Sequence, residues 1–164
     1  MPESSNPGTA SPGECPFCSP LIMSSVFMSN GNYMALYNIA PVLPGHSLII
    51  PRKHISSLLS LNENELSGFV NTARLALRIL MKAFSTDAFD MALQEKPEAG
   101  QTIEHLHLHL VPRLKNDLKH PGDWYPMVSG NDDSIIDSMN RPHLTNEALR
   151  QIVDELKKIA ASIN

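Results

Sequence analysis

Cysteine is scarce in this chain: two residues in 164, three positions apart as Cys15-Pro16-Phe17-Cys18. With no second pair there is no disulfide framework, so a secreted, stapled scaffold is not expected. Surplus positive charge is also missing. Thirteen Lys and Arg stand against 17 Asp and Glu, a formal charge of −4. A sequence-neutral grip on a nucleic acid polymer needs a cationic face, and none can be assembled from this balance. No apolar run is long enough to cross a bilayer, and Met1-Pro2-Glu3-Ser4-Ser5-Asn6 lacks the basic and apolar regions of a secretory signal. The expectation is a soluble, cytoplasmic protein. Its length suits one domain, and 42% hydrophobic residues are enough to build a core.

Residues 1–14 contain little to bury and read as a disordered arm ahead of a single domain over 15–164. Apolar runs at Val26–Met28 and Tyr33–Tyr37 flank Asn30-Gly31, a strong hairpin signal. A turn at Pro41–Gly45 leads to a third strand over His46–Ile50. Leu66, Phe69, Val70, Ala73, Leu77, Leu80, Met81 and Phe84 follow three-and-four spacing and predict a helix from about Asn62 to Phe84. Asn62 with Glu65 suits its N-terminal cap. Strands are predicted over Asp87–Glu95 and Glu104–Val111, the latter stopped by Pro112. Residues 114–143 form a long loop, functional or partner-contacting, holding Trp124 and Tyr125. A closing helix spans 145–163. Strands in a hairpin, a long helix and then more strands indicate an α+β fold built on an antiparallel sheet, with the long helix and the C-terminal helix packed against it.

His105-Leu106-His107-Leu108-His109-Leu110 alternates without a break. Side chains two apart on a strand share a face, so the leucines point to the core and the histidines the other way. Such a row could be an ordinary polar face or a metal site. It could also be a phosphate site in which one neutral imidazole acts on phosphorus while its neighbours orient it. Imidazole suits the last role because its pKa lies near neutrality. Spacing alone does not separate general base from nucleophile. Gly45 and Gly100 read as turn glycines, and Arg113 as either a phosphate clamp or a salt bridge. The Cys-x-x-Cys pair is equally open: a redox motif, half a zinc site, or coincidence.

The run Gln94-Glu95-Lys96-Pro97-Glu98-Ala99-Gly100-Gln101-Thr102-Ile103-Glu104-His105-Leu106-His107-Leu108-His109-Leu110-Val111-Pro112-Arg113 resembles the signature of the histidine triad superfamily. The Pro-Glu-Ala-Gly-Gln-Thr approach and Pro-Arg exit are similar to its Fhit-like branch of dinucleoside polyphosphate hydrolases. Ala35–Asn38 and Pro41–Pro51 extend the likeness over most of residues 15–113. The resemblance implies a HIT-like fold and a homodimer sharing one continuous sheet. It makes His107 the nucleophile that attacks the α-phosphorus and forms a nucleotidyl-histidine intermediate. His109 is then the phosphate contact, and His46 the residue holding the nucleophilic ring by hydrogen bonding. Gln101 is implied beside the phosphates or leaving group, Gln94 at the phosphate chain and Asn38 near the ribose.

Some family members also carry a structural zinc, held by a cysteine pair, the histidine of a Pro-x-x-His segment and the first histidine of the triad. Here those positions are Cys15, Cys18, His54 and His105. That pattern resembles bacterial triad proteins and uridylyltransferases rather than the best-known Fhit-like enzymes, which lack the cysteines. Lys96 also departs from the Asp-Gly usual in Fhit. The implied activity is hydrolysis of a diadenosine tri- or tetraphosphate type of substrate. A nucleoside phosphoramidate or adenylate hydrolase, and a nucleotide-binding signalling module, are the alternatives.

Overall fold

The computed structural model describes residues 15–125 and 141–163. The expected arm over 1–14 and the middle of the 114–143 loop lie outside the described residues. Five antiparallel strands, β1 (Val26–Asn30), β2 (Tyr33–Tyr37), β3 (Ser47–Pro51), β4 (Ala88–Leu93) and β5 (Leu108–Arg113), form one sheet in the order β1-β2-β3-β5-β4. Helix α1 (Glu63–Phe84) and helix α2 (Asn146–Ala161) pack on one face. The α+β architecture expected from the sequence is the one found.

Local chemistry accounts for the elements. Gly31 takes φ +59° in the two-residue β1–β2 loop, and Asn32 has no positive φ, the arrangement of a type II′ turn that matches strand twist. At the start of α1 the Asn62 side chain accepts from the Glu65 amide at 3.0 Å, and the Glu65 carboxylate accepts from the Asn62 amide at 2.9 Å. This reciprocal pair satisfies two donors that a helix start leaves unpaired. Ser85 ends the helix in the left-handed region at φ +51°.

Period-two alternation sorts the sheet into two cores. Tyr33, Ala35, Tyr37, Ile49 and Leu110 join Phe69, Ala73, Ala76, Leu80, Val153 and Leu156 beneath the helices. Met34, Leu36, Leu48 and Ile50 face the opposite way and pack with Cys15, Phe17 and Val26. Each fully buried Leu, Ile or Phe contributes about 1.5–3 kcal/mol. The buried face of α1 is rotated from the expected stripe: Thr72, Ala76 and Ile79 are buried, whereas Leu66 and Val70 are exposed. A three-and-four stripe broader than the contact surface leaves its margin in water.

Strand β5 differs from its expected bounds at both ends. It begins at Leu108, not Glu104, because the Leu106 amide donates to the Ile55 carbonyl and the His105 amide to the Ile103 carbonyl, outside any ladder. It runs through Pro112 to Arg113. Pairing with β3 stops at Ser47↔Leu110, while β4 continues to Ala88↔Arg113. On the side β3 has left, proline has no ladder to break. The Leu/His alternation nevertheless survives: Leu106 and Leu110 lie under the helices, and Leu48, the cross-strand partner of His109, lies in the opposite core.

Pro112 instead packs on Gly45, which has φ +89°. A Cβ there would lie 2.6 Å from Pro112 Cγ and 2.9 Å from Phe84 Cε2. Gly45→Ala therefore meets both a forbidden backbone region and a filled space. We expect it to lower unfolding free energy by about 2–4 kcal/mol in urea titration; an unchanged midpoint would contradict this packing.

Candidate functional site

Every histidine of the triad is buried, with exposures of 0% for His105, 5% for His107 and 8% for His109; His46 is also at 0%. A buried imidazole is costly unless its nitrogens are satisfied, and the partners found here fix each tautomer. A carbonyl oxygen can only accept, so a ring nitrogen facing one must carry the proton. His105 donates from Nε2 to the Pro51 carbonyl at 2.9 Å, which leaves its Nδ1 as a lone pair. His107 donates from Nδ1 to the His105 carbonyl at 2.7 Å, which leaves Nε2 as the lone pair. Backbone acceptance from the non-attacking nitrogen is what a nucleophilic imidazole needs.

The second pair works from an amide. The Val42 N–H donates to His46 Nδ1 at 3.2 Å, so the His46 proton sits on Nε2. That proton is donated to His109 Nδ1 at 2.9 Å, leaving His109 as a donor at Nε2. The His107 and His109 rings lie 5.1 Å apart at 76°. A free nitrogen lone pair thus stands beside a nitrogen donor. His46 was expected to hold the nucleophilic ring; its hydrogen bond goes to His109, and the His105 backbone holds His107.

Burial keeps this array neutral. It pushes His46 down to about 3, with the Arg141 charge and His107 adding to the effect. Burial is also the main cause for His109, held well below the ordinary imidazole value with help from His46, His107 and Arg141. His107 is lowered by burial and partly restored by its bond to His105. Burial thus favours the neutral form of His46, His107 and His109, with the tautomers that the hydrogen bonds set.

At the other end of the row, Nδ1 of His105 lies 3.5 Å from Cys15 Sγ and 3.6 Å from Cys18 Sγ, and His54 Nδ1 lies 3.4 Å from Cys18 Sγ. The ligand atoms of Cys15, Cys18, His54 and His105 all fall within 4.8 Å of one another. Sulfur and nitrogen bound tetrahedrally to one zinc ion stand about 3.6 Å apart, so the spacing fits. The chemistry fits as well: burial and the neighbouring Cys15 push the Cys18 thiol up, a penalty on the thiolate that a bound cation reverses. The four residues can hold a metal ion.

The remaining expected residues are placed as follows. Asn38, 7% exposed, donates its backbone N–H to the His46 carbonyl, and its side chain accepts from the Ala40 amide. It therefore shapes the loop that carries His46. Gln94 lies one position beyond the Leu93↔Leu108 pair, at the level of His107. It is 4% exposed, and its Nε2 has no hydrogen-bond partner among the described residues. Gln101 accepts at its side chain from the Lys96 amide at 2.7 Å, and its described hydrogen bonds stay within the Lys96–Gln101 loop. Arg113 is a structural hub: it binds Asp117 through Nε and Nη2 at 2.8 Å, Asp90 at 2.6 Å and the Pro121 carbonyl at 2.6 Å. Trp124 is buried in a cluster with Val42 and Val111.

Sequence reasoning missed three backbone groups and two side chains. The Pro51 and His105 carbonyls and the Val42 amide are backbone groups, which no residue-type pattern reports. Arg141 was read only as loop, yet its charge acts on His46 and His109. Phe17, read only as a spacer between cysteines, meets two rings of the triad.

The HIT domain family matches residues 20–116. The chain is 32% identical over 112 residues to the asymmetrical bis(5'-nucleosyl)-tetraphosphatase of Schizosaccharomyces pombe, covering 68% of this chain and 62% of that one. It is 36% identical over 96 residues to a bis(5'-adenosyl)-triphosphatase of Saccharomyces cerevisiae, covering 58% of this chain and 47% of that one. The chain thus spans roughly half to three fifths of the length of these relatives. Its fold is shared with the crystal structure of a zinc-bound histidine triad family protein from Mycobacterium smegmatis, at TM-score 0.65 and 20% identity, over 93% of this chain and 97% of that one.

The buried His46 gives a pH signature. Its folded value of about 3 lies below the ordinary 6.5, so between those values the unfolded chain binds more protons and stability falls as pH drops. Urea unfolding at pH 7 and pH 5 should show wild type losing stability over this step. The variant His46→Asn should start lower at pH 7 and lose less. Equal losses in both would contradict a buried neutral His46.

Proposed function

The chain belongs to the HIT domain family, and from that membership we propose that it hydrolyses dinucleoside polyphosphates of the diadenosine tri- or tetraphosphate type to a nucleoside monophosphate and the remaining nucleotide. One observation carries the reading: the His105 carbonyl takes the Nδ1 proton of His107, which aims an unprotonated Nε2 out beside the His109 donor. Both similar relatives are named for cleaving such substrates, which supports this substrate class over a phosphoramidate.

In the first step His107 Nε2 forms a bond to the α-phosphorus as the bond to the bridging oxygen breaks. The departing polyphosphate is itself an anion stable near neutrality, so it leaves without a strong acid. His109 donates to a non-bridging oxygen, where charge builds in the transition state. The free amide of Gln94 is suited to a phosphate oxygen, because a buried unpaired donor costs about 1–3 kcal/mol until it finds an acceptor. The likeness to the histidine triad superfamily assigns Gln101 to the phosphates or leaving group and Asn38 to the ribose. Water then attacks the nucleotidyl-histidine, breaks the P–N bond and frees the monophosphate. Splitting one displacement into two is the gain from a covalent nucleophile.

Zinc is the fitting ion for Cys15, Cys18, His54 and His105. Four protein ligands close its tetrahedron, so its contribution is folding energy and placement of His105. A thiolate site of this kind fits a reducing, cytoplasmic setting. Edge strand β4 leaves Phe89 and Met91 exposed at 44% and 49%, an apolar edge suited to pairing with a second copy as a homodimer.

The test is to incubate the protein with diadenosine triphosphate and tetraphosphate and resolve the products. Wild type should release monophosphate plus the complementary nucleotide, and His107→Asn should lose at least about a thousand-fold in turnover. Cleavage of a phosphoramidate alone would move the substrate class, and tight binding without turnover would indicate a signalling module. For the metal, Cys18→Ser should purify with less than one zinc per chain and a melting temperature several degrees lower; full zinc content in that variant would remove Cys18 from the site.

A further inference from the structure

The hydrogen bond from Nδ1 of His107, together with the Cβ–Cγ bond, sets the resting plane of the ring. How tightly that plane and the Nε2 lone pair are held depends on the contacts packed against the ring. Phe17 supplies one. Its ring meets His107 at 5.4 Å and 68°, and His105 at 5.6 Å and 84°, both edge-on. Phe17 is 8% exposed and belongs to the core on the triad side of the sheet.

Phe17 is itself placed by the cysteine pair. It is the middle residue of a single 3-10 turn over Pro16–Cys18, with Pro16 at the first position and the Cys18 amide donating to the Cys15 carbonyl at 3.0 Å. Cys15, the residue before this turn, and Cys18, its last residue, both belong to the Cys15, Cys18, His54 and His105 cluster. Closing that cluster holds the turn, and the turn holds the phenyl ring against His107. Two routes therefore lead from the cluster to one imidazole: through the His105 backbone to Nδ1, and through Phe17 to the ring plane.

We propose that Phe17 is a positioning residue that locks the ring plane of His107 and transmits the order of the metal-ligating turn to it. The role rests on the reading of His107 as a nucleophile only for its effect on turnover; the lock on the ring holds in the protein without substrate. Edge-on aromatic contacts are favourable beyond the area they bury, and a misaligned attacking atom costs reaction rate. The expected signature is loss of chemistry without loss of binding.

The experiment compares wild type, Phe17→Ala and Phe17→Leu as zinc-loaded full chains, after checking metal content and melting. Leucine keeps the bulk but has no flat ring, and it serves if alanine weakens the fold. Proton exchange with solvent at His107 Nδ1–H, followed by nitrogen-15 NMR at fixed pH without substrate, should accelerate at least about ten-fold in both variants, and in wild type stripped by a chelator. With dinucleotide, kcat should fall about ten- to a hundred-fold while KM stays within about two-fold. Unchanged exchange in both variants would overturn the lock. So would full recovery by leucine, which would reduce Phe17 to filler, or a raised KM with unchanged kcat, which would make it a substrate contact. Faster exchange in the variants of a protein that turns over no dinucleotide would uphold the lock and refute the substrate reading instead.

Discussion

The backbone carbonyl of His105 is the joint on which the site depends. It accepts a hydrogen bond from Nδ1–H of His107, and that single bond decides which nitrogen of the central ring keeps its lone pair. The same residue is held through its ring, which donates to Pro51 on β3 and offers its other nitrogen to the two thiols. Side chain and carbonyl thus do separate work. A histidine at 105 anchors the backbone at the one position where the backbone must be still. Substituting another residue would leave a carbonyl there, held only by the backbone bonds of the His105 and Leu106 amides to Ile103 and Ile55.

Neutrality follows from the same burial. Four imidazoles stand together at 8% exposure or less, and burial is the main cause that disfavours the cation in each, with charge repulsion adding to it for His46, His105 and His109. A neutral row is chemically directional: each ring has one donor and one acceptor, and chains of such groups have a sense. Here the two chains start from different backbone groups, a carbonyl for His107 and the Val42 amide for His46 and His109. Starting from an acceptor in one case and a donor in the other, they end in opposite groups at Nε2. A lone pair beside a donor is the complement of an electrophilic phosphorus and its anionic oxygen.

Much of this was legible in the sequence because it rests on side-chain period. The Asn62–Glu65 cap, the α1 segment and the division of Leu and His between two faces are local consequences of residue type and spacing. The Cys15, Cys18, His54 and His105 cluster was reachable only by resemblance, since its members lie up to 90 positions apart. What stayed hidden was set by backbone. Nothing in the composition of Glu104–Leu106 shows that its amides bond to Ile103 and Ile55 and so leave the ladder, and nothing at His46 shows that its proton goes to His109. Pro112 looked like a strand stop because the pattern does not tell which neighbouring strand has already ended. Arg113 could not be divided between clamp and salt bridge until Asp90 and Asp117 were found around it.

The two family patterns that seem to compete along the chain serve different ends of one segment. The cysteine pair and His54 hold the His105 end through a cluster on the triad face. The Pro-Arg exit holds the other: Pro112 packs on Gly45, next to His46, and Arg113 ties β5 to Asp90 on β4 and to Asp117 and Pro121 in the following loop. That carboxylate pair raises the Arg113 pKa further, and Asp117 is held at about 2 by the same contact, so the tie persists across neutral pH. Between the anchors lie residues 106–111, in which His107 and His109, two positions apart, present neighbouring imidazoles on one face. The cysteine–histidine cluster and a Fhit-like exit are therefore compatible: each immobilises an end that the other does not reach.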